Sequence, residues 1–534
     1  MSITSLSFVV FVFAIFCLYY LLPKRFQWVL LLVSSIAFYL AGGVQSALYV
    51  LMTATTIYFA ALGMEKTAAE QKSYIKANKE TLTKEEKSAY KAAMKKKRKG
   101  MMLSALLINI GLLCFFKYFH FVLEQINAVL SLTGSGQIED TFRFIIPLGI
   151  SFYTFQSVGY LLDVYWEKVA AERNYAKLLL FVSFSPQMTQ GPISEYSQLS
   201  EQLFTEHSFS YKNYSWGFQR MIWGFFKKMV IANQLSKYVT LVFDNYAEYA
   251  GVSVLIGAFL YSVQIYADFS GYMDIMCGFC ETLGIRLTEN FERPYFSKSV
   301  AEYWRRWHMS LGAWFKNYIY FPIGMSTWNR KLAKNARKHF SKHFANTFPA
   351  TIALLIVWTA TGMWHGASWA YISWGLVNGI FIIFAMWMEP VYAVWKEKLH
   401  IREERWSWRA FQTIRTFILV TFIKVLPEVG TLSDGLGLWK QIFTEHTIPH
   451  SLGELLPYVD LSLTTHQISF LLAMAGTVVF FVLSLLQRRK PIREYFNQLP
   501  AVIRYVILVG VALLVASFGV RASWGAGGFM YAQF

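Results

Sequence analysis

From Phe344 to Met388 the chain carries no Lys, Arg, Asp or Glu, and within that run stands one histidine, His365, in the setting Gly362-Met363-Trp364-His365-Gly366-Ala367. A charge-free run of this length suits hydrocarbon better than water, and apolar runs of about 20 residues recur along the sequence. Lipid offers no partners to free backbone groups, so each crossing must be helical. The fold expected is therefore an all-α polytopic membrane protein. An ionisable side chain at membrane depth is costly to desolvate, which makes His365 a functional-site candidate. Neutral imidazole is the cheaper form there, and it is the form that accepts a proton. A histidine that only bonds a neighbouring helix is the structural alternative.

Spans are expected near 5–22, 27–42, 44–63, 101–120 and 143–165. Later ones fall near 347–363, 368–388, 410–427, 466–487 and 502–520. Between them 176–192, 215–233 and 252–283 are apolar but broken by Gly, Pro or charge. That makes about a dozen membrane segments, some re-entrant or interfacial. The net charge of +18 sits mostly in a few loops between the apolar runs. It points to a cytoplasmic face and anionic lipid, not to nucleic acid. The 65–99 insert holds about twelve Lys and Arg, ending Lys95-Lys96-Lys97-Arg98-Lys99. It reads as a solvated helix or helical hairpin. Other basic loops are Lys24-Arg25, Arg330 to Lys342, Lys396 to Arg409 and Arg488 to Arg493. Placing all of them inside puts both termini outside, along with the acid-leaning loop 428–465 (Glu428, Asp434, Glu445, Glu454, Asp460). The crossings within 166–325 must be even in number, and their positions stay open.

Cys17, Cys114, Cys277 and Cys280 all lie in apolar segments. The Cys277-Gly-Phe-Cys280 pair has no second Cys/His pair beside it, so a packing role is expected and no metal site is assigned. The N-terminal apolar run lacks a basic start and a small-residue cleavage site, and reads as a retained span. No internal repeat, nucleotide-binding glycine loop, His-Glu-x-x-His or lipase-type Gly-x-Ser-x-Gly setting appears.

The segment 287–325 changes character. Asn290-Phe291-Glu292-Arg293-Pro294-Tyr295-Phe296-Ser297 is followed by Tyr303-Trp304-Arg305-Arg306-Trp307-His308-Met309-Ser310-Leu311 and Trp314-Phe315-Lys316. Trp304, Trp307, Leu311 and Trp314 recur at helical spacing. A helix there would sink one face into the interface while Arg305 and Lys316 snorkel. That accounts for the tryptophans better than for His308 and the Asn/Ser cluster. Upstream, Asp268 and Asp274 interrupt an apolar run, in Tyr266-Ala267-Asp268-Phe269-Ser270-Gly271-Tyr272-Met273-Asp274. Buried carboxylates need partners, and Arg305, Arg306 or a histidine are the expected ones.

Several blocks together resemble the membrane-bound O-acyltransferase family, in the bacterial branch that includes the alginate O-acetyltransferase membrane subunit. They are Pro147-Leu148-Gly149-Ile150-Ser151-Phe152-Tyr153-Thr154-Phe155-Gln156 with Asp163-Val164-Tyr165, and Phe184-Ser185-Pro186-Gln187 with Gln190-Gly191-Pro192-Ile193. Tyr266 to Tyr272, Asn290 to Ser299, Trp304 to Leu311, Met363-Trp364-His365-Gly366 and the C-terminal Gly528-Phe529-Met530-Tyr531-Ala532-Gln533-Phe534 complete the set. Each block is weak alone; their order and spacing are specific. Met530 and Ala532 depart from the branch's usual ending, and the 65–99 insert carries no family role.

The resemblance implies one membrane domain over 1–534: a ring of helices around a thin centre, crossed by a tunnel, with 287–325 as its re-entrant catalytic region. It implies an O-acyltransferase of a bacterial cytoplasmic membrane. The acyl donor, acetyl-CoA or a carrier-bound thioester, would come from the cytoplasm, with no bound cofactor. The acceptor would be an exported polysaccharide or cell-wall glycan, reached through an extracytoplasmic partner with a serine-hydrolase-like (SGNH) fold. The family's near-invariant histidine falls on His365 and its second on His308. Tyr266, Asp268, Asn290, Trp304, Ser310 and Trp364 are expected to shape the tunnel or orient the donor. D-alanyl transfer to teichoic acid from a carrier protein is the close alternative. A glycan or lipid transporter without covalent chemistry is the distant one, disfavoured by the missing repeat.

Overall fold

A computed structural model describes residues 3–134, 136–142, 146–458 and 464–520. The C-terminal block Gly528 to Phe534 and Asp460 lie outside them. Every named element among the described residues is helical; extended pairing is limited to an isolated antiparallel bridge between Phe291 and Trp307. Among the described residues, eight helices are long and apolar enough to cross a membrane, from Lys24–Ala41 near one end to Ala501–Phe518 near the other. Their lipid-type surface is apolar, as at Leu107, Val502 and Val506, which is the reverse of a water-soluble helix. The protein is thus a multi-pass, all-α membrane protein.

The chain divides into two compact units. The first holds residues 7–213 with 280–288. In it the helices Val44–Ala77 and Lys84–Leu132 run far past the apolar stretches 44–63 and 101–120 and form a long hairpin. Its 78–83 turn ends in a capping box. The Thr83 hydroxyl accepts from Glu86 N–H (3.2 Å), while the Glu86 carboxylate accepts from Thr83 N–H (2.9 Å); two end donors are satisfied reciprocally. The basic hairpin is clipped down by Glu167, which takes Arg98 at 2.6 Å and Lys72 at 2.9 Å. Arg98 also donates to the Tyr165 carbonyl.

The blocks 147–156 and 184–193 meet in this first unit. Gly149 has φ +73, and a Cβ there would lie 2.3 Å from the Met188 carbonyl oxygen. Glycine alone tolerates both the left-handed backbone and that approach. Gln156 Nε2 donates to the Phe181 carbonyl and to Gln187 Oε1, and Gln187 Nε2 donates on to Pro192 O and Ser194 Oγ. The 176–192 run is a nine-residue helix, Tyr175–Ser183, followed by a 3-10 turn.

The second unit holds 214–279 with the chain from 289 onward. The 252–283 run is one helix, Gly251–Thr282, unbroken by its glycines. Those glycines are contact points. A Cβ on Gly271 would lie 2.9 Å from the Gly224 carbonyl oxygen, and one on Gly278 2.6 Å from that of Gly217. Small residues let two backbones approach to contact where lipid gives no hydrophobic drive. The facing helix, Tyr211–Phe225, widens into a π-helical stretch at Phe226–Ala232. The pair Lys342–His365 and Trp369–Trp387 crosses in the same way: Cβ atoms on Gly362 and Gly375 would lie 2.5 and 2.4 Å from the carbonyl oxygens of Tyr371 and Trp358.

The structure departs from two local expectations. The tryptophans of 304–314 do not lie on one continuous in-plane helix. The chain forms two short helices, Val300–Arg306 and Met309–Phe315, broken at Trp307-His308. Trp307, Leu311 and Trp314 are buried against protein while Arg305 and Lys316 are exposed. The carboxylates Asp268 and Asp274 do not pair with Arg305, Arg306 or a histidine. Asp268 is held by Lys228, and Asp274 takes Arg220 at 2.8 Å and Lys227 at 2.6 Å. Arg306 pairs with Glu302 instead. The cations come from the next-door 211–232 helix, whose charges sequence reading took as interruptions of an apolar span.

Candidate active site

His365 is the last residue of the Lys342–His365 helix and is 4% exposed. Gly366 leaves the helix in extended backbone, and the Tyr371 ring occupies the place where a Gly366 Cβ would be. Ser368 then caps the next helix by accepting from Tyr371 N–H. The tight 365–368 turn therefore holds the imidazole among rings. Trp364 and Trp374 meet it edge-on at 4.9 and 4.8 Å between centroids, and Tyr371 lies nearly parallel at 6.5 Å.

His308 occupies the break between its two short helices, with left-handed backbone (φ 47, ψ 54). Such a conformation is uncommon outside glycine, and histidine is among the residues that adopt it more often. Two points pin it. Glu292 N–H donates to the Arg306 carbonyl on one side, and Met309 N–H to the Asn290 carbonyl on the other. The Asn290 side chain adds a third, accepting from Ser310 N–H at 2.9 Å, so it caps the 309–315 helix from a distant part of the chain. Its amide group reaches Met273 Sδ at 3.5 Å. Asn290 thus ties the His308 turn to the core.

The His308 ring is 2% exposed, edge-on to Phe269 at 4.9 Å, and 5.9 Å from Trp364. Neither of its nitrogens has a hydrogen-bond partner among the described residues. A buried, unpartnered imidazole is costly and calls for an explanation at that spot. It lies outside the spanning helices, and burial pushes its pKa down to about 3, so it is neutral near pH 7.

Trp364 stands between the two histidines, touching both rings. Trp304 joins the assembly from the other side. Its indole N–H donates to Asn378 Oδ1 at 2.9 Å, and its ring meets Trp374 and Trp358 at 5.4 and 5.0 Å. Asn378 in turn donates to the Trp374 carbonyl. Of the residues singled out from sequence, His308, His365, Trp364 and Trp304 are thereby linked ring to ring, and Asn290 and Ser310 frame the His308 turn. Tyr266 stands one layer away, against Phe291, Tyr295, Trp307 and Phe480. Asp268 faces Lys228, and only its neighbour Phe269 reaches His308. Sequence reading missed Phe269, Trp374 and Asn378. A polar Asn378 inside a charge-free run was the signal available for the last. The four cysteines are free thiols.

The histidines, one ending a spanning helix and one in a pinned left-handed turn, define a multi-pass membrane protein with a buried imidazole pair. The model of the membrane-bound O-acyltransferase family matches residues 169–426, a stretch that contains both. A probable alginate O-acetylase of Pseudomonas putida is 31% identical over 68% of this chain and 66% of its own length. A peptidoglycan O-acetyltransferase of Helicobacter pylori is 31% identical over 52% of this chain and 54% of its own. A teichoic acid D-alanyltransferase of Bacillus subtilis is 25% identical over 52% and 67%. The chain belongs to the membrane-bound O-acyltransferase family. The match spans just under two thirds of the Pseudomonas putida relative and about half of the Helicobacter pylori one.

Proposed function

We propose that the protein moves an acyl group, acetyl in the first instance, from a cytoplasmic thioester to a hydroxyl of an exported polysaccharide or cell-wall glycan. The observation that carries this is the pair of buried imidazoles on either side of Trp364. A hydroxyl is a poor nucleophile at neutral pH. His365 takes its proton as the oxygen attacks the thioester carbonyl carbon. The carbon–sulfur bond breaks, the ester forms, and the proton passes from His365 to the departing thiolate. His308, neutral and with nitrogens uncommitted among the described residues, donates to the carbonyl oxygen as charge gathers on it.

Support for the acetyl–glycan reading comes from relatives named as alginate and peptidoglycan O-acetylating proteins. The donor is acetyl-CoA or a carrier-bound thioester, and the protein itself holds no cofactor. Where an extracytoplasmic partner with an SGNH-hydrolase-like fold stands between, the attacking hydroxyl is the partner's, and the partner passes the acyl group on to the glycan. The site is a bacterial cytoplasmic membrane, with both termini and the 428–465 loop outside, a placement that rests on the basic loops. The D-alanyl alternative rests on the Bacillus subtilis relative. Purified protein given acetyl-CoA, or a phosphopantetheine carrier loaded with D-alanine, separates the two by which donor is consumed in a His365-dependent way.

A further inference from the structure

Lys424 is 5% exposed near the end of the Trp406–Val425 helix, and no carboxylate of a described residue lies within ion-pair distance of it. Glu428, one turn on, is engaged with the Tyr261 hydroxyl at 2.7 Å. The ammonium instead sits over aromatic faces: 3.9 Å from the Trp307 centroid, 4.7 Å from Tyr295 and 5.2 Å from Tyr303. It donates to the Tyr295 hydroxyl at 2.7 Å, and that hydroxyl donates to the Ser262 carbonyl. Indole is the strongest of the aromatic cation acceptors, and the attraction grows when water is excluded. Even so, a buried cation facing rings and not a carboxylate is a poor way to stabilise a fold, since an apolar side chain of like size does as well or better.

Its placement suggests what it does instead. Trp307 is the residue before His308. Its backbone closes the Val300–Arg306 helix by donating to Tyr303 O, and it pairs with Phe291 in the isolated bridge. Its ring also meets Phe291 at 5.0 Å and Tyr303 at 5.6 Å. Lys424 therefore bears on the ring of the residue next to His308, whose backbone helps to form the His308 turn. We propose that Lys424 is a positioning residue for His308, acting through the Trp307 face; as a statement about catalysis this rests on the acyl-transfer reading above.

The test uses the full-length protein in nanodiscs with Lys424→Met and Lys424→Arg. Methionine fills a similar volume without charge; arginine keeps a cation over the ring. Lys424→Met is expected to unfold at or above the wild-type temperature yet lose roughly 10- to 100-fold in kcat, the range a misplacement of about 1 Å produces, with KM little changed. Lys424→Arg is expected to recover most of the rate. Wild-type kcat in Lys424→Met overturns the proposal, as does a parallel loss of rate and stability that arginine fails to rescue. A cryo-EM map of Lys424→Met decides the structural half without any turnover. His308 displaced from Phe269 and Trp364 supports it, and His308 in place contradicts it. Failure of the acyl-transfer reading is distinct, because wild type would then show no turnover with any donor.

Discussion

At the scale of single residues, the site is a set of imidazoles held by groups that do other work in the fold. The left-handed turn at His308 depends on Asn290, whose side chain is the partner of Ser310 N–H. Asn290→Leu strands that buried donor and should cost about 1–3 kcal/mol, read as a lower unfolding temperature, together with a loss of transfer activity. A normal rate in Asn290→Leu would mean that the turn needs no such clamp. The burial of His308 also makes a pH prediction. Its folded pKa is depressed to about 3, so the unfolded chain takes up the proton first. Stability is lost as pH falls from about 6.5 toward 3. His308→Gln should therefore melt with a shallower pH dependence than wild type between pH 6.5 and 4. Both histidines stood out in the sequence, His365 as a lone ionisable group in a charge-free run and His308 in an aromatic, polar stretch, and the structure buries both against Trp364. The role of Asn290 did not stand out, since its partner lies twenty residues away and nothing local marks a distant cap.

At the scale of elements, helix existence followed from apolar length, and the spans near 347–363, 368–388, 466–487 and 502–520 all fall on helices. Ends and breaks did not follow. The break at Trp307-His308 is set by the tertiary bridge to Phe291 and Asn290, which a spacing argument cannot contain. The same limit hid the partners of Asp268 and Asp274, since Lys227 and Lys228 face them only because Gly224 lets its helix close on Gly271. The close helix crossings and the ion pairs beside them make two predictions. Gly362→Val places a branched side chain against the Tyr371 carbonyl and should part the helices that hold His365, lowering both folded yield and transfer activity; an unchanged melt would contradict the close crossing. Asp274→Ala leaves Lys227 without its carboxylate, while Arg220 keeps Glu289 at 2.6 Å, and should cost about 3–5 kcal/mol, the range for breaking a buried pair. Asp274→Ala together with Lys227→Met should recover part of that loss in a melting experiment, because it removes the stranded charge.

At the scale of the whole molecule, composition and the order of blocks announced a multi-pass membrane protein of this family, and the helices and the family match agree. What composition could not reach is the choice of donor and acceptor, which depends on chemistry outside the chain. Acyl transfer that needs His365 is tested by following transfer from radiolabelled acetyl-CoA by purified wild type and His365→Ala in nanodiscs, with folding checked by melting. Label transfer or thioester loss is expected of wild type, and a drop to background of a folded His365→Ala. Equal turnover by the two proteins would contradict that expectation and remove His365 from the mechanism.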